Sequence, residues 1–284
     1  MSKTRSPAAG TPLSWPIIER LSAIHILGLF GVWYLIAVAH SARTVAFALL
    51  WFFLCHLATT TGPHRLYAHG AYAATKMLEV FLLLFSAATF QGPAMWWAAM
   101  HQRHHAHSDT DRDPYSVVHG FWWAHVGWML RVPQSPKELV RFRKNQLIQL
   151  QAKYYEWVAP TMAFLLPALI ASLWGDFWGG LLVAGFLRLV VQFHLTWIIN
   201  SWAHSFGTRR YGGTGSARTN WWLAIPTVGE SLHERHHLAE QAAWFSTYWY
   251  DIDPGGFFIR CCVWVGLASN PKAVSEEEVY AKAR

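Results

Sequence analysis

The sequence predicts an all-α integral membrane protein, with four transmembrane helices beneath a cytoplasmic helical cap. Three observations carry that reading. Of 284 residues, 53% are hydrophobic and only 14% charged, against about 25% charged in an ordinary soluble domain. Four long stretches are almost free of charge, and basic residues gather on one side of them.

The first stretch, Leu21 to Ala39, contains no Lys, Arg, Asp or Glu. It is too long for a signal peptide and lacks a small-residue cleavage site, so it reads as a retained anchor. Val45 to Thr61, Val158 to Trp174 and Phe177 to Ile199 are comparably apolar, Arg188 being the exception. Each can cross a hydrocarbon core of about 30 Å at helical rise and modest tilt. The expected spans are therefore about 18–39, 44–62, 157–174 and 177–199. An even number of spans puts both termini on one side. Lys3, Arg5 and Arg20 precede the first span, and Arg131, Lys137, Arg141, Arg143, Lys144 and Lys153 precede the third. The opposite loops, around Arg43 and Asp176, are tiny, so the positive-inside rule makes the basic side cytoplasmic, the inner-membrane face in a bacterium.

What remains, about 62–155 and 205–284, forms the cap of a single domain, 1–284, without repeats or low-complexity linkers. Met77 to Ala99 is apolar but carries Glu79, Gln91, Gly92 and Pro93, and reads as one bent helix in the membrane surface. Phe257 to Leu267 is too short to span and contains Arg260; it suits an interfacial helix or a buried cap helix. Cys55, Cys261 and Cys262 form no CxxC and no disulfide framework. Topology and attraction to anionic headgroups account for the net charge of +7. A phosphate-bearing substrate or acidic partner would suit it too, and nucleic acid is not needed.

Histidine carries the chemistry. His64 and His69, then His101, His104 and His105, then His233, His236 and His237 place eight of sixteen histidines in three short boxes, with His204 a ninth candidate. Imidazole is the commonest protein ligand for redox-active transition metals. Nine exceed what one four-coordinate ion needs, so two ions are expected. In a helix, residues i, i+3 and i+4 share a face, so the second and third boxes should each converge. Asn200 and His204 repeat the i, i+4 spacing where the fourth span leaves the membrane. Structural zinc would want four ligands in a closed shell, whereas iron suits open positions for oxygen. For His25 and His194, core or interface packing is the expected role.

One motif points elsewhere. His233-Glu234-Arg235-His236-His237 satisfies H-E-x-x-H, the zinc protease signature with Glu as general base, and Asp251 or Asp253 could supply an acidic ligand. That reading leaves two boxes without purpose. A metal transporter would place its ligands near the bilayer midplane, whereas these boxes lie to one side.

The boxes, together with Asn200-Ser201-Trp202-Ala203-His204, resemble the membrane fatty acid desaturases of the acyl-CoA and acyl-lipid Δ9 type. Thr61 to His69 looks like the family's first box, and Gln91-Gly92-Pro93, Trp96-Trp97 and His101 to Pro114 look like its second. His125-Val126-Gly127-Trp128 and Gly229 to His233 extend the pattern. The resemblance implies a non-haem di-iron site with the nine histidines as ligands and Asn200 acting through a water. It implies O2 as co-substrate and a fatty acyl chain, on CoA, carrier protein or lipid, as substrate. A cis double bond is the expected product, with hydroxylation or acetylene formation as the alternative outcome. By the same resemblance Gln91, Trp97 and Thr196 line a bent acyl tunnel; otherwise Gln91 caps a helix and Trp97 anchors at the interface. Thr196 stands four residues before Asn200, on the same helical face. The chain departs from the family at Leu238-Ala239-Glu240 and at Pro63.

Asp109, Asp111, Asp113 and Glu230 either hold imidazole tautomers or serve as helix caps and solvated charges. Without a dinucleotide fingerprint or fused haem domain, electrons must come from another protein, such as a ferredoxin or small cytochrome. An acidic donor could dock on Arg131, Arg141, Arg143 and Lys144, where lipid headgroups or an acyl carrier's phosphates compete. Arg188 is either functional, because intramembrane charge is expensive, or paired with Gln192 one turn away.

Overall fold

The computed structural model describes residues 11–38, 41–131, 142 and 144–284. Lys3, Arg5, Lys137, Arg141 and Arg143, part of the basic surface expected above, lie outside them. Four helices are long and apolar enough to cross a membrane: Trp15–Ala37, Ala42–Ala68, Tyr155–Ser172 and Phe177–Ser201. The chain is thus a helical integral membrane protein. Leu29 (70% exposed) and Leu173 (84%) face outward from these helices, where lipid rather than water accounts for bare leucine.

Pro16 in the opening turn starts the first span, where its missing N–H costs nothing. Gly31 lets that span approach the fourth closely, because a Cβ there would strike the Leu182 carbonyl. Ser41 caps the second span by accepting from Thr44 N–H at 3.2 Å. On the far side of the bundle Asp176 ties both short loops together, accepting from Tyr34 Oη at 2.6 Å, from the Thr44 hydroxyl and from Gly179 N–H at 2.9 Å.

Arg188 lies inside the fourth span and is 3% exposed. It donates to the carbonyls of Ala184, Ala88 and Ala163 and, at 3.1 Å, to Gln192 Oε1. Those carbonyls come from three separate segments. Pairing with Gln192 was legible; the cross-links that make Arg188 a structural tie were not.

Met77 to Ala99 is not one bent helix. It is two, Lys76–Ala87 and Ala94–His107, separated by a turn in which Phe90 and Gly92 take positive φ. Proline at 93 cannot donate to a preceding turn, so the chain restarts there. Pro254–Trp264 forms the late helix. It buries Ile259 and Cys262 while leaving Phe257 and Trp264 exposed, which gives it one face on the cap and one free. A two-residue antiparallel ladder, Ala73–Ala74 with Ala268–Ser269, ties this end back to the first box.

Candidate metal centre

The second span does not end where its apolar run ends. Its last two turns, Thr60–Ala68, are π-helical and contain Pro63. There the His69 N–H bonds to the His64 carbonyl at 3.2 Å, an i→i+5 contact. π-helical widenings are rare and favour functional sites. Here the consequence is geometric: His64 and His69 lie five residues apart, yet their rings sit 5.0 Å apart.

All nine histidines come together, in two groups. His64, His69, His101, His105 and His236 form one; His104, His204, His233 and His237 form the other. Within each group the candidate ligand atoms lie within 4.8 Å of one another. The i, i+3, i+4 spacing does not make each box converge on one point, as expected. Instead the i, i+4 pairs, His101 with His105 and His233 with His237, stay together while His104 and His236 cross to the other group. His204 reaches its group from the turn beyond Ser201, where the fourth span has ended, not from the helix itself.

The Nε2 atoms face inward. In the first group His105 and His236 approach at 2.7 Å, His64 and His236 at 3.0 Å, and His101 and His105 at 3.1 Å. In the second, His204 and His233 stand at 2.9 Å and His233 and His237 at 3.1 Å. Four Nδ1 atoms turn outward to close partners, whereas those of His233 and His236 have none among the described residues. His104 Nδ1 donates to Asp113 at 2.9 Å, and His204 Nδ1 to Ser216 Oγ at 2.6 Å, whose hydroxyl donates on to Asp109. His101 Nδ1 meets Tyr115 Oη at 3.3 Å, and His64 Nδ1 meets Glu230 at 2.8 Å. A ring that gives its Nδ1 proton outward has only a lone pair at Nε2, and lone pairs facing each other need a cation between them. The donor set therefore fits two metal ions.

Burial agrees. It pushes the His101, His105, His204, His236 and His237 imidazoles well below their usual value, helped by neighbouring histidines, and takes His233 down to about 3. These rings are neutral near pH 7, as ligands must be. Burial also raises the Glu230 carboxyl to about 8, against the pull of Arg65, whose guanidinium is 3.6 Å away. Glu230 Oε2 and His64 Nδ1 stand 2.8 Å apart, within hydrogen-bond reach, and a cation at Nε2 would favour the proton on Nδ1.

The four acids divide. Asp113 and Glu230 touch box histidines directly, and Asp109 does so through Ser216. Asp111 instead lies 3.8 Å from His119, with its side chain 44% exposed. Sequence reasoning missed Tyr115 and Ser216. Tyr115 could have been noticed beside Asp113-Pro114; Ser216 stands in a loop with no local signal.

Geometry also disposes of the protease constellation. Glu234 accepts from the backbone N–H groups of Arg210, Tyr211 and Gly213 at 2.5, 3.1 and 3.3 Å. It is spent on folding the loop. Asp253 is paired with fully buried Arg65 at 2.8 Å, and Asp251 with Arg210 at 2.7 Å, so neither is a ligand.

A cavity of about 80 Å³ opens beside the histidines. His64, His101, His104 and His233 line it, together with Gln91, Trp97, Thr196 and Asn200. Trp97 Nε1 donates to Gln91 Oε1 at 3.0 Å, and Gln91 Nε2 donates to Thr196 Oγ1 at 2.9 Å. Gln91 is thus no helix cap and Trp97 no interfacial anchor: the three lock together two segments of the wall. On the basic side, Arg131 donates to the Thr11 carbonyl at 3.0 Å.

A family model described as fatty acid desaturase matches residues 42–247. The chain belongs to the fatty acid desaturase family. A probable acyl-CoA desaturase of Schizosaccharomyces pombe is 35% identical over 94% of this chain and 56% of its own length. The stearoyl-CoA desaturase of Sus scrofa is 33% identical over 95% of this chain and 77% of its own. The human stearoyl-CoA desaturase is 32% identical over 98% and 79%. The matched region of this desaturase-family chain contains the second, third and fourth spans and all three boxes.

Proposed function

We propose that this protein is an O2-dependent di-iron oxidoreductase that introduces a cis double bond into a fatty acyl chain, with Δ9-like regiochemistry. One observation carries the reading: two groups of buried, neutral imidazoles meet beside a cavity whose lining is mostly apolar. His64, His69, His101, His105 and His236 would hold one iron. His104, His204, His233 and His237 would hold the other, with Asn200 contributing through a water. Iron there supplies the oxidant that an unactivated methylene requires: O2, two electrons and two protons enter, two hydrogens leave the chain, and two waters form.

The protein's own share is positioning and exclusion. Asp113, Ser216, Tyr115 and Glu230 fix ring orientation and tautomer, which raises ligand basicity. Gln91, Trp97 and Thr196 hold the cavity wall rigid, so that which methylene lies beside the histidines is set by shape rather than by acid or base chemistry. The buried walls exclude water. With no leaving group on the chain, no catalytic carboxylate is needed.

The cap and both termini face the cytoplasm on this reading, because the basic segments flank that side. Electrons come from an external ferredoxin or small cytochrome docking near Arg131 and Lys144, beside anionic lipid. Purified protein reconstituted with iron and a reducing system, offered acyl-CoA, acyl-carrier and lipid-bound chains, should yield a mono-unsaturated product by mass spectrometry. A hydroxylated product would replace desaturation with the related hydroxylase reaction. Stoichiometric zinc without oxygen consumption would overturn the proposal.

A further inference from the structure

The cavity does not end at the metal-binding groups. It continues along the second span past Thr60 to His56, eight residues before His64 and thus about 12 Å deeper at helical rise. This deep end is not apolar. His56 is 4% exposed, and its Nδ1 has no hydrogen-bond partner among the described residues. The same holds for Thr60 Oγ1, in a residue 2% exposed.

The neighbours show that this is not a general property of threonine in this helix. Thr59 Oγ1 bonds back to the Cys55 carbonyl at 3.0 Å, and Thr61 Oγ1 to the Leu57 carbonyl at 2.7 Å. That i−4 back-bond is the usual refuge of a helical hydroxyl. Thr60, which borders the cavity beside Thr59, does not take it. His56 and Thr60 are one turn apart on one face, and the His56 ring lies 5.4 Å from the ring of Phe52. Buried polar atoms left unmade are costly and rare in native structures. Trp128 Nε1, Glu230 Oε1 and His233 Nδ1 also border this cavity without a hydrogen-bond partner among the described residues. His56 and Thr60 differ in forming a pair one turn apart on a single helix, outside the two histidine groups, and such a pair calls for a ligand.

A saturated acyl chain offers neither donor nor acceptor there. A hydroxyl offers one O–H and two lone pairs, enough to satisfy an imidazole nitrogen and a threonine hydroxyl together. We propose that His56 and Thr60 form a hydroxyl-binding subsite in the deep half of the cavity, so that the preferred substrate is an acyl chain bearing a hydroxyl group beyond the reacting carbons. This rests on the acyl-chain reading of the cavity given above.

The test uses purified full-length protein, with competition binding of stearoyl-CoA against positional isomers of monohydroxystearoyl-CoA, and product analysis in parallel. The wild type should bind at least one hydroxylated isomer about threefold to tenfold more tightly than stearoyl-CoA, one neutral hydrogen bond's worth. His56→Phe and Thr60→Val should each erase that preference, while His56→Gln, which keeps a donor and an acceptor, should retain much of it. Thermal melting identifies any variant that fails to fold, and either substitution alone suffices. No isomer preferred by the wild type, as when a resident water serves these atoms, overturns the proposal; so does a preference that survives both substitutions. Binding is read without turnover. A hydroxyl preference with no desaturated product from any chain would refute the desaturase and keep the subsite, and desaturation without the preference would do the reverse.

Discussion

Asp113→Asn is the sharpest test of how the second metal position is built. Asp113 is 2% exposed; one oxygen accepts from His104 Nδ1 at 2.9 Å and the other from Tyr115 N–H at 3.1 Å. An amide has one oxygen to offer. If it stays on Tyr115, an NH2 faces His104 Nδ1 and drives the ring to the tautomer with a proton on Nε2, where the ion must bind. If it turns to His104, the Tyr115 N–H is orphaned and the turn that orients it loosens. Loss of such an outer partner typically weakens a metal site about 10- to 100-fold, or about 1.4 to 2.8 kcal/mol. Chelator titration followed by elemental analysis should show one metal position emptying well before the other, where the wild type is expected to retain two ions per chain. Asp111→Asn is the control, because Asp111 reaches only His119. Wild-type affinity at both positions in Asp113→Asn, or equal damage from Asp111→Asn, would refute the reasoning.

Other perturbations separate architecture from chemistry. Arg65→Met should abolish folding, since it strands the Asp253 carboxylate without its partner at a cost of about 3 to 5 kcal/mol, a large part of a typical fold's stability; a wild-type melting temperature would contradict this. Glu234→Gln keeps an acceptor for the Tyr211 and Gly213 N–H groups but turns an NH2 toward the Arg210 N–H, so it should lower the melting temperature while the folded protein keeps its metal content and turnover; lost turnover with intact metal would revive a general-base role. Metal-free protein should lose stability as pH falls below the unfolded histidine value of about 6.5, because the buried imidazoles titrate lower in the fold and the unfolded chain binds more protons. Each such ring contributes about 1.4 kcal/mol per pH unit until its own folded value is reached, which for His233 is about 3; a melting temperature flat between pH 7 and 5 would refute it.

The spans were legible because lipid demands long uninterrupted apolar runs, a signal that survives without tertiary information. The clustering of the histidines was legible for a similar reason: no packing argument accounts for eight histidines in three boxes. How those histidines are shared was not. Helical spacing says that His101, His104 and His105 lie on one face, but a face is wide enough to serve two ions, and only the opposing box decides which ring goes where. The π turn at Thr60–Ala68 was also hidden, although Pro63 was flagged as out of place just where the helix widens. Gln91-Gly92-Pro93 announced an interruption but not its size, and the chain breaks fully where a bend was expected.

The sharing of the boxes has a physical consequence for the centre as a whole. The helix Ala94–His107 gives His101 and His105 to one group and His104 to the other, and His233–Leu238 does the reverse with His236 against His233 and His237. Each short helix is rigid, so a shift that improves one group must move ligands of its neighbour. Asp113 and Tyr115 reinforce the coupling from outside. A single turn holds His104 through the Asp113 carboxylate and His101 through the Tyr115 hydroxyl, one ligand of each group. Only the first box, His64 and His69, serves one group alone. The two histidine groups are therefore one mechanical unit, anchored to the bundle by the π turn on one side and by the fourth span's exit at Asn200 and His204 on the other.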